Sequence, residues 1–495
     1  MKRRRPLGLL WVVVMFALGA GMALGLEPFG LWPLTLVALA LIIAKAARGH
    51  AAWVGWLAGV GYFGVGLSWI VEPFLVDWAR HGWMAPFALV VMACGMALFW
   101  ALGFWLGAKL PNRALGLVAG LTLAEFARGY ALTGFPWALV SHIWVGTPVA
   151  QAVALIGPFG LALLTTLIAA MAARFKLRGV AGGAALLGLG WAYGLYTLSQ
   201  PTPLDAGVTL RLVQPNAPQQ AKWDPVQTQI FYERLLAATS APLGPLGKVD
   251  LVIWPETALP YFVEENPDLP AQITAAAQGA AVAVGLQRLQ QSAEGSRAWN
   301  SLKVYGAGGQ ELATYDKHHL VPFGEYIPLG DLAYQWFGLR SFAAQTGAAY
   351  TAGPGPMVLD LGAKLGKVVP LICYEAVFPQ DLRVAYRADW ILQITNDAWF
   401  GTVSGPFQHA AQARLRAIEQ GLPLVRVANT GLTEVIDARG RITGQLPFGT
   451  SGFLDATLPG ALSAPLYARW GEIPALVLLA GCFLFALRKP RTAWA

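Results

Sequence analysis

Three residues that could together perform nucleophilic chemistry lie at the ends of three predicted strands. Glu256 follows the apolar run in VIWPETALP, Lys317 lies in TYDKHHLVPFGEYIP, and Cys373 ends the run VVPLIC. A cysteine thiol has a pKa of about 8.5, so it needs a neighbouring base or cation to attack as a thiolate at neutral pH. A carboxylate, an ammonium group and a thiol would supply a base, a cation and a nucleophile.

Each of these residues also has an ordinary structural interpretation. Glu256 could be a structural glutamate at a strand end beside Pro255. Cys373 could be a small core residue, because free cysteine is among the most buried residue types. Lys317 and Glu325, eight residues later, could belong to a solvated turn. Cys373 is the only cysteine between residues 205 and 462, which excludes a disulfide within that segment. A lone thiol is a liability in an oxidising compartment, and this favours a chemical role.

The segment that carries these residues alternates between β-rich and helical stretches. Helices are predicted over 225–239, 268–279 and 405–420, and strands over 208–216, 249–256, 280–289, 300–306, 311–317, 366–373, 389–396 and 422–429. Such alternation predicts an α/β domain with a largely buried central sheet. Active sites of α/β sheets form at the carboxyl ends of strands, which is where all three residues are predicted to lie.

The rest of the chain has the composition of a membrane protein. Charged residues make up only 13% of the sequence, against roughly 25% in soluble domains. Spans of about 20 apolar residues cross a bilayer. We predict about eight of them, seven before residue 204 and one over 473–487, in the segments 7–26, 29–44, 49–71, 81–108, 114–128, 149–173, 179–204 and 473–487. The first is interpreted as a retained helix rather than a cleaved signal peptide, because its apolar stretch is too long.

Basic residues are distributed unequally between the predicted loops. Fourteen fall on one side, at positions 2–5, 45–48, 109–113, 174–178 and 488–491, and the opposite short loops carry only Arg80 and Arg128. The positive-inside rule places both termini in the cytoplasm. The chain is thereby divided into a membrane domain (1–204), an external catalytic domain (205–462) and a last span with a basic tail (463–495). The basic pI of about 9.4 then reflects topology, which disfavours a nucleic-acid partner.

The motifs WPE, YDKHHLVPFGEY and CYE, in this order and with these spans, resemble the apolipoprotein N-acyltransferase family of the nitrilase superfamily. The resemblance covers essentially the whole chain and implies an αββα sandwich as the external domain. It also implies Glu256 as the general base, Lys317 as the oxyanion stabiliser and Cys373 as the nucleophile. Positions that match further family residues are predicted to support the site or bind substrate: Glu325, Tyr374 and Glu375, and Trp223.

The resemblance further implies the reaction. An acyl chain passes from a membrane phospholipid to a thioester on the cysteine, and then to the N-terminal α-amine of a diacylglyceryl-cysteine apolipoprotein. This ping-pong scheme requires neither a metal nor a cofactor. The location implied is a bacterial inner membrane with the catalytic domain on the periplasmic side, and nothing demands more than a monomer. Both substrates are lipids, so the aromatic segment 329–347, with Trp336 and Phe337, and the nearby Tyr326 are predicted to contact them.

Other interpretations of the same features remain open. The segment 329–347 could instead be ordinary core packing. The segment 133–146 could line a lipid entrance, with His142 as a structural residue. The protein could also be a membrane-tethered amidase that uses water as acceptor, although a soluble amide would not need so many spans. A transporter with an inactive external domain is disfavoured by the shortage of ionisable residues within the spans.

The predicted topology can be tested with a membrane-impermeant thiol reagent. A cysteine that replaces Lys45 or Lys176 is expected to stay unlabelled in cells with an intact inner membrane, because both positions are predicted to be cytoplasmic. A cysteine that replaces Lys248, in the predicted external domain, is the control that should be labelled. Labelling of position 45 or 176 from outside would refute the topology.

Overall fold

The computed structural model describes residues 8–173, 176–203, 207–222, 224–292, 295–328 and 349–489. The chain divides into two compact units. The first contains the described residues up to 201 together with 400–419 and 465–489, and the second contains those of 202–399 and 420–464.

The first unit is helical. Its longer helices are Leu9–Ala23, Trp32–Arg48, Ala51–Gly66, Ala85–Gly107, Arg113–Tyr130, Val153–Ala172, Leu177–Ser199, Gly405–Gln420 (to Glu419 in this unit) and Ile473–Ala486, and its short ones are Glu72–Leu75, Trp78–His81 and Leu466–Trp470. Short 3-10 turns run over Ser68–Val71, Gly82–Met84, Val140–Trp144 and Pro148–Ala152. Each of the eight predicted apolar segments thus contains a helix.

The predicted number of spans is not confirmed. In the part of the chain that the structure describes, two helical stretches are long and apolar enough to cross a membrane, Trp78–Gly107 and Pro148–Ala172. A third is added if Ala51–Gly66 and Ser68–Leu75, which are bent by 61°, form one broken span. The first and last helices have only 15 and 14 residues, fewer than the roughly 20 that a straight span needs.

Small residues bring two neighbouring helices of this unit close together. Gly103 and Gly107 on one helix face Gly116 and Gly120 on the next, and both pairs have the spacing G-x-x-x-G. A Cβ atom added at Gly103 would lie 2.2 Å from the carbonyl oxygen of Gly120, and one at Gly107 would lie 2.1 Å from that of Gly116. The backbones are therefore in direct contact, which is the packing that small residues permit between apolar helices.

A buried ion pair holds a loop of the same unit. Arg128, which closes the predicted segment 114–128 and was counted with the loop that follows, lies inside the helix Arg113–Tyr130 and is fully buried. Its guanidinium donates to Glu125, three residues earlier in the helix, at 3.2 Å, and to the carbonyl oxygens of Phe135 and Trp137 at 2.6 and 2.5 Å. These hydrogen bonds compensate the buried charge of Arg128. They also fix part of the segment 133–146, most of which is buried.

The second unit contains two six-stranded sheets. Their strands are β1 (Thr209–Gln214), β2 (Leu251–Ile253), β3 (Ala281–Ser292), β4 (Gly295–Tyr305), β5 (Glu311–Asp316), β6 (Leu359–Asp360), β7 (Lys367–Ile372), β8 (Trp390–Thr395), β9 (Leu424–Ala428), β10 (Thr433–Ile436), β11 (Ile442–Leu446) and β12 (Gly452–Thr457). The first sheet has the order β12-β1-β2-β3-β4-β5 and the second β11-β10-β9-β8-β7-β6. The sheets pack against each other, with β1 beside β9 and β4 beside β7.

Helices cover the outer face of the first sheet. Pro225–Thr239 begins with an N-cap at Asp224, whose carboxylate accepts from the backbone N–H groups of residues 226 and 227. Together with Leu269–Ala276 it buries a core that includes Trp254 and Leu235. All eight strands predicted from the sequence are present. The strands β6, β10, β11 and β12 were not predicted; β6 has two residues, and β11 and β12 have partly exposed, mixed sequences that weaken the apolar pattern.

The topology brings the relevant strand ends to one edge. β1, β2 and β3 are parallel, as are β7, β8 and β9. β4 is antiparallel to both β3 and β5, so β5 runs in the same direction as β3. The segments that follow β2 and β5 therefore lie at the same end of the first sheet. A hydrogen bond from the Tyr315 hydroxyl at the end of β5 to Glu375 brings the segment after β7 to that end as well, and these three segments carry Glu256, Lys317 and Cys373.

Candidate active site

A buried lysine lies between two carboxylates at this edge. The ammonium of Lys317 donates to Glu325, with both carboxylate oxygens 2.9 Å from Nζ, and lies 3.6 Å from Oε1 of Glu256. All three side chains are buried. Glu325 is thus a partner of the lysine and not a solvated turn residue, which overturns the alternative interpretation of that segment.

Two asparagines hold the carboxylate of Glu256 in place. Asn300 on β4 donates from Nδ2 to Oε1 of Glu256 at 2.7 Å and to Oε1 of Glu325 at 3.1 Å. The backbone N–H of Asn396, directly after β8, donates to Oε2 of Glu256 at 2.8 Å. Each oxygen of Glu256 therefore has a donor, one from each sheet, and this fixes the orientation of the carboxylate.

A glycine allows the Glu256 turn to lie against the neighbouring strand. A Cβ atom at Gly285, in β3, would lie 2.2 Å from the carbonyl oxygen of Pro255 and 2.7 Å from Cα of Glu256. The carbonyl of Gly285 also accepts from the N–H of Ala258 at 2.8 Å. Only glycine fits this close approach, so the position of Glu256 depends on residue 285.

Cys373 lies in a strained turn immediately after β7. Its φ of +52° is in the left-handed region that few residues other than glycine adopt. Gln393 on β8 donates to the carbonyl oxygen of Cys373 at 3.2 Å, which supports this backbone conformation. Thr257, the residue after Glu256, also has a positive φ of +44°. Strained backbone conformations of this kind are concentrated at functional sites, where the surrounding structure must hold the backbone in place.

The electrostatics of the site act differently on the thiol of Cys373 and the ammonium of Lys317. Burial raises the pKa of the Cys373 thiol, the charge of Glu256 raises it further, and Lys317 only partly opposes this. Burial alone would lower the pKa of Lys317, but the charges of Glu325 and Glu256 outweigh it and raise the pKa above its ordinary value. At neutral pH the resting site therefore holds a protonated thiol beside a permanent cation, so a base must remove the thiol proton during attack.

Glu375 joins the lysine segment to the cysteine turn. It is fully buried, and its Oε1 accepts from the Tyr315 hydroxyl and from the backbone N–H of His318, both at 2.8 Å. Its Oε2 accepts from the backbone N–H of Ile372 at 2.7 Å. One carboxylate thus connects the residues on either side of Lys317 to the residue before Cys373.

Lys222 is a site residue that the sequence reasoning missed. Its buried ammonium donates to the Thr257 hydroxyl at 2.8 Å and to the carbonyl oxygen of Glu256 at 3.5 Å. Burial lowers the pKa of Lys222 to about 8, although the charge of Glu256 opposes the shift. It thus stabilises the strained turn that carries the carboxylate. Its only sequence signal is a lysine beside the singled-out Trp223.

The structure describes only some of the remaining residues that were predicted to belong to the site. Tyr374 is buried and packs edge-on against Phe378, with ring centroids 4.9 Å apart. Tyr326 is half-buried, and its carbonyl accepts from the N–H of Phe323 at 2.6 Å, which closes the turn that contains Glu325. Trp223, Trp336 and Phe337, and the segment 329–347, lie outside the described residues. The roles predicted for them stay predictions.

Comparison with known proteins assigns the chain to a family. A carbon-nitrogen hydrolase model matches residues 209–466, and the model of the apolipoprotein N-acyltransferase N-terminal domain matches residues 18–171. The chain is 39% identical to the apolipoprotein N-acyltransferase of Rhodopseudomonas palustris, over 97% of this chain and 95% of that protein. The chain belongs to the apolipoprotein N-acyltransferase family. The predicted resemblance is confirmed, and the protein is an acyltransferase.

A second relative agrees with this membership. The apolipoprotein N-acyltransferase of Caulobacter vibrioides is 37% identical, over 97% of this chain and 94% of that protein. Among solved structures, an amidase from Nesterenkonia sp. is 19% identical with a TM-score of 0.35, and the alignment covers 56% of this chain and 98% of the amidase. The carbon-nitrogen hydrolase match and the two sheets confirm the nitrilase-like α/β domain predicted for this apolipoprotein N-acyltransferase family member.

The Lys317–Glu325 contact predicts a kinetic effect. Glu325→Gln removes the charge that holds the ammonium, so acyl transfer is expected to fall about ten- to hundredfold, the loss typical of a hydrogen bond to a charged group. Initial rates of the purified enzyme measure this. Glu311→Gln, which removes a carboxylate paired with Lys303 at the surface, is the matched control and should retain the wild-type rate. Wild-type rates in Glu325→Gln would contradict the assignment.

Proposed function

We propose that this protein transfers an acyl chain from a membrane phospholipid, through a thioester on Cys373, to the N-terminal α-amine of a diacylglyceryl-cysteine apolipoprotein. Its relatives are named apolipoprotein N-acyltransferases, which supports the choice of acceptor. The observation that carries the chemistry is the buried Lys317 between Glu256 and Glu325, with Cys373 close enough for two of these charges to shift its pKa.

The first half-reaction forms the thioester. The sulfur of Cys373 attacks the ester carbonyl of the phospholipid while Glu256 accepts the thiol proton. The Lys317 ammonium faces the oxygen that becomes negatively charged; one such donor typically contributes about 10²–10³ in rate. The tetrahedral intermediate then collapses, the C–O bond breaks, and Glu256 returns the proton to the departing lysophospholipid alcohol.

The second half-reaction transfers the acyl chain to the amine. The neutral α-amine of the acceptor attacks the thioester carbonyl, and Lys317 again faces the oxyanion. Glu256 accepts a proton from the amine nitrogen and gives it to the sulfur as the C–S bond breaks. The products are an N-acyl amide and the free thiol, so the enzyme returns to its starting state without a cofactor or a metal in either step.

The substrates imply how the chain is organised. We propose that residues 1–204 form a membrane domain of about seven spans, that 205–462 form the catalytic domain, and that 463–495 add a last span and a basic tail. The catalytic domain would face the periplasm, with both termini in the cytoplasm of a Gram-negative cell. The unequal distribution of basic residues between the loops supports this orientation. Both proposed substrates are lipids whose tails lie in the bilayer, which accounts for a membrane domain of this size.

The carbon-nitrogen hydrolase match favours a second candidate, an amidase that uses water as acceptor. Purified enzyme incubated with labelled phospholipid and a diacylated lipopeptide distinguishes the two functions. We expect label to appear on the lipopeptide amine, with release of lysophospholipid. Release of free fatty acid alone, with the lipopeptide present, would indicate the hydrolase and contradict the proposed function.

A cysteine series controls this assay. Cys373→Ser nearly preserves side-chain volume but supplies a much weaker nucleophile, so acyl transfer should fall to background while the protein remains folded. Cys94→Ser and Cys482→Ser, in the helices Ala85–Gly107 and Ile473–Ala486, should keep the wild-type rate. If Cys373→Ser retains acyl transfer, the proposed nucleophile is wrong.

A further inference from the structure

Two histidines and an aspartate converge beside the active-site segments. His318 and His319 follow Lys317, and Asp381 lies in the 3-10 turn Pro379–Arg387 after the Cys373 turn. Nε2 of His318 and Nδ1 of His319 lie 3.2 and 3.1 Å from the same oxygen of Asp381, Oδ2. The three candidate ligand atoms all lie within 4.8 Å of one another. The side chains are 12–19% exposed, so a small solute can reach them from solvent.

The surroundings orient these groups as ligands. Nδ1 of His318 lies 2.7 Å from Oε1 of the buried Glu375, so a proton on Nδ1 leaves Nε2 as the coordinating nitrogen. A carboxylate behind a histidine is the usual arrangement at protein metal sites, where it fixes the tautomer and raises the basicity of the ligand. The ring of His319 stacks on Phe378, with centroids 3.5 Å apart, which fixes its direction as well.

We propose that His318, His319 and Asp381 form a Zn²⁺ site. Zinc binds histidine nitrogens and carboxylate oxygens at about 2.0–2.2 Å in tetrahedral geometry, which places neighbouring ligand atoms about 3.4 Å apart. The two histidine–aspartate separations of 3.1 and 3.2 Å are close to that value, and the two histidine nitrogens lie within 4.8 Å of each other. Water or a substrate group takes the fourth position. The Cys373 chemistry requires no metal, and the proposed ion lies outside it.

An ion at this position would connect two segments of the chain. His318 and His319 directly follow Lys317, and Asp381 lies eight residues after Cys373, so the ion would join the two segments that Glu375 already connects. An ion that binds the folded protein but not the unfolded chain stabilises the fold by mass action. Bound zinc therefore restrains the loop that carries the active-site lysine.

The competing occupant of the cluster is a proton. Burial alone would lower the pKa of His318, but Asp381 and Glu375 raise it to about 9, so without a metal this histidine carries a charge at neutral pH and pairs with both carboxylates. The proton and the metal ion depend on different side chains. Pairing of a protonated histidine with the carboxylates needs only His318, whereas a metal site also needs the nitrogen of His319.

Zinc binding can be measured on the full-length enzyme, purified through a tag without histidine and treated with a chelator. Titration with Zn²⁺ against a chromophoric chelator is expected to give one saturable equivalent, and Zn²⁺ should raise the thermal midpoint. Asp381→Asn and His319→Phe should each weaken binding at least about tenfold, the scale of a lost metal contact. His319→Phe keeps an aromatic ring against Phe378, so it tests the nitrogen rather than the packing.

Asp268→Asn is the matched control, since it removes an exposed aspartate of the same domain that is not one of the three proposed ligands, and it should bind zinc like the wild type. Cobalt supplies a second readout, because Co²⁺ held by this ligand set should show the strong visible absorption of a tetrahedral site. Absence of saturable binding in the wild type would overturn the proposal. Equal affinity in the wild type, Asp381→Asn and His319→Phe would overturn it as well, since the ion would then bind elsewhere.

Discussion

The pairing of Lys317 with two carboxylates is the constraint on which the rest of the site depends. Glu256 and Glu325 are both buried, and two carboxylates at such close range repel each other unless a cation lies between them. The ammonium supplies that cation, and Asn300 donates to both carboxylates as well. Removal of one member of such a buried set leaves an uncompensated charge, which is far more costly than loss of an exposed ion pair. The segments after β2 and β5 are therefore held together by the groups proposed to perform the chemistry.

The position of the thiol follows from a second set of contacts. Glu375 connects the lysine segment to the residue before Cys373, and the Cys373 turn adopts a left-handed backbone that its neighbours must maintain. The raised pKa of the thiol means that the resting enzyme holds little thiolate, so an unreacted cysteine is protected from indiscriminate oxidation. In this account reactivity arises only when a carbonyl group is bound and Glu256 can accept the proton.

The sequence predicted the secondary-structure elements of the catalytic domain better than the tertiary contacts between them. All eight predicted strands are present, because apolar runs bounded by turn residues are a local signal. Glu256 and Asn396 are 140 residues apart and belong to different sheets, so their hydrogen bond has no local signature. Asn300 lies inside a strand, and from the sequence alone an asparagine there would be interpreted as a surface residue. Its two carboxylate partners are visible only in the structure. The predicted number of spans is not confirmed by the described helices, because uncharged windows do not reveal whether a helix bends or ends early.

The central claim is that Cys373 carries the acyl chain, and intact-mass spectrometry after incubation with phospholipid alone tests it most directly. The account predicts an acyl-sized mass gain in the wild type that maps to the peptide containing LICYEAVF, is cleaved by hydroxylamine, and disappears when the acceptor lipopeptide is added. The same incubation of Cys373→Ser should show no thioester adduct. Acyl transfer to the lipopeptide by an enzyme that lacks the Cys373 thiol, or an adduct on another residue that turns over, would contradict the account.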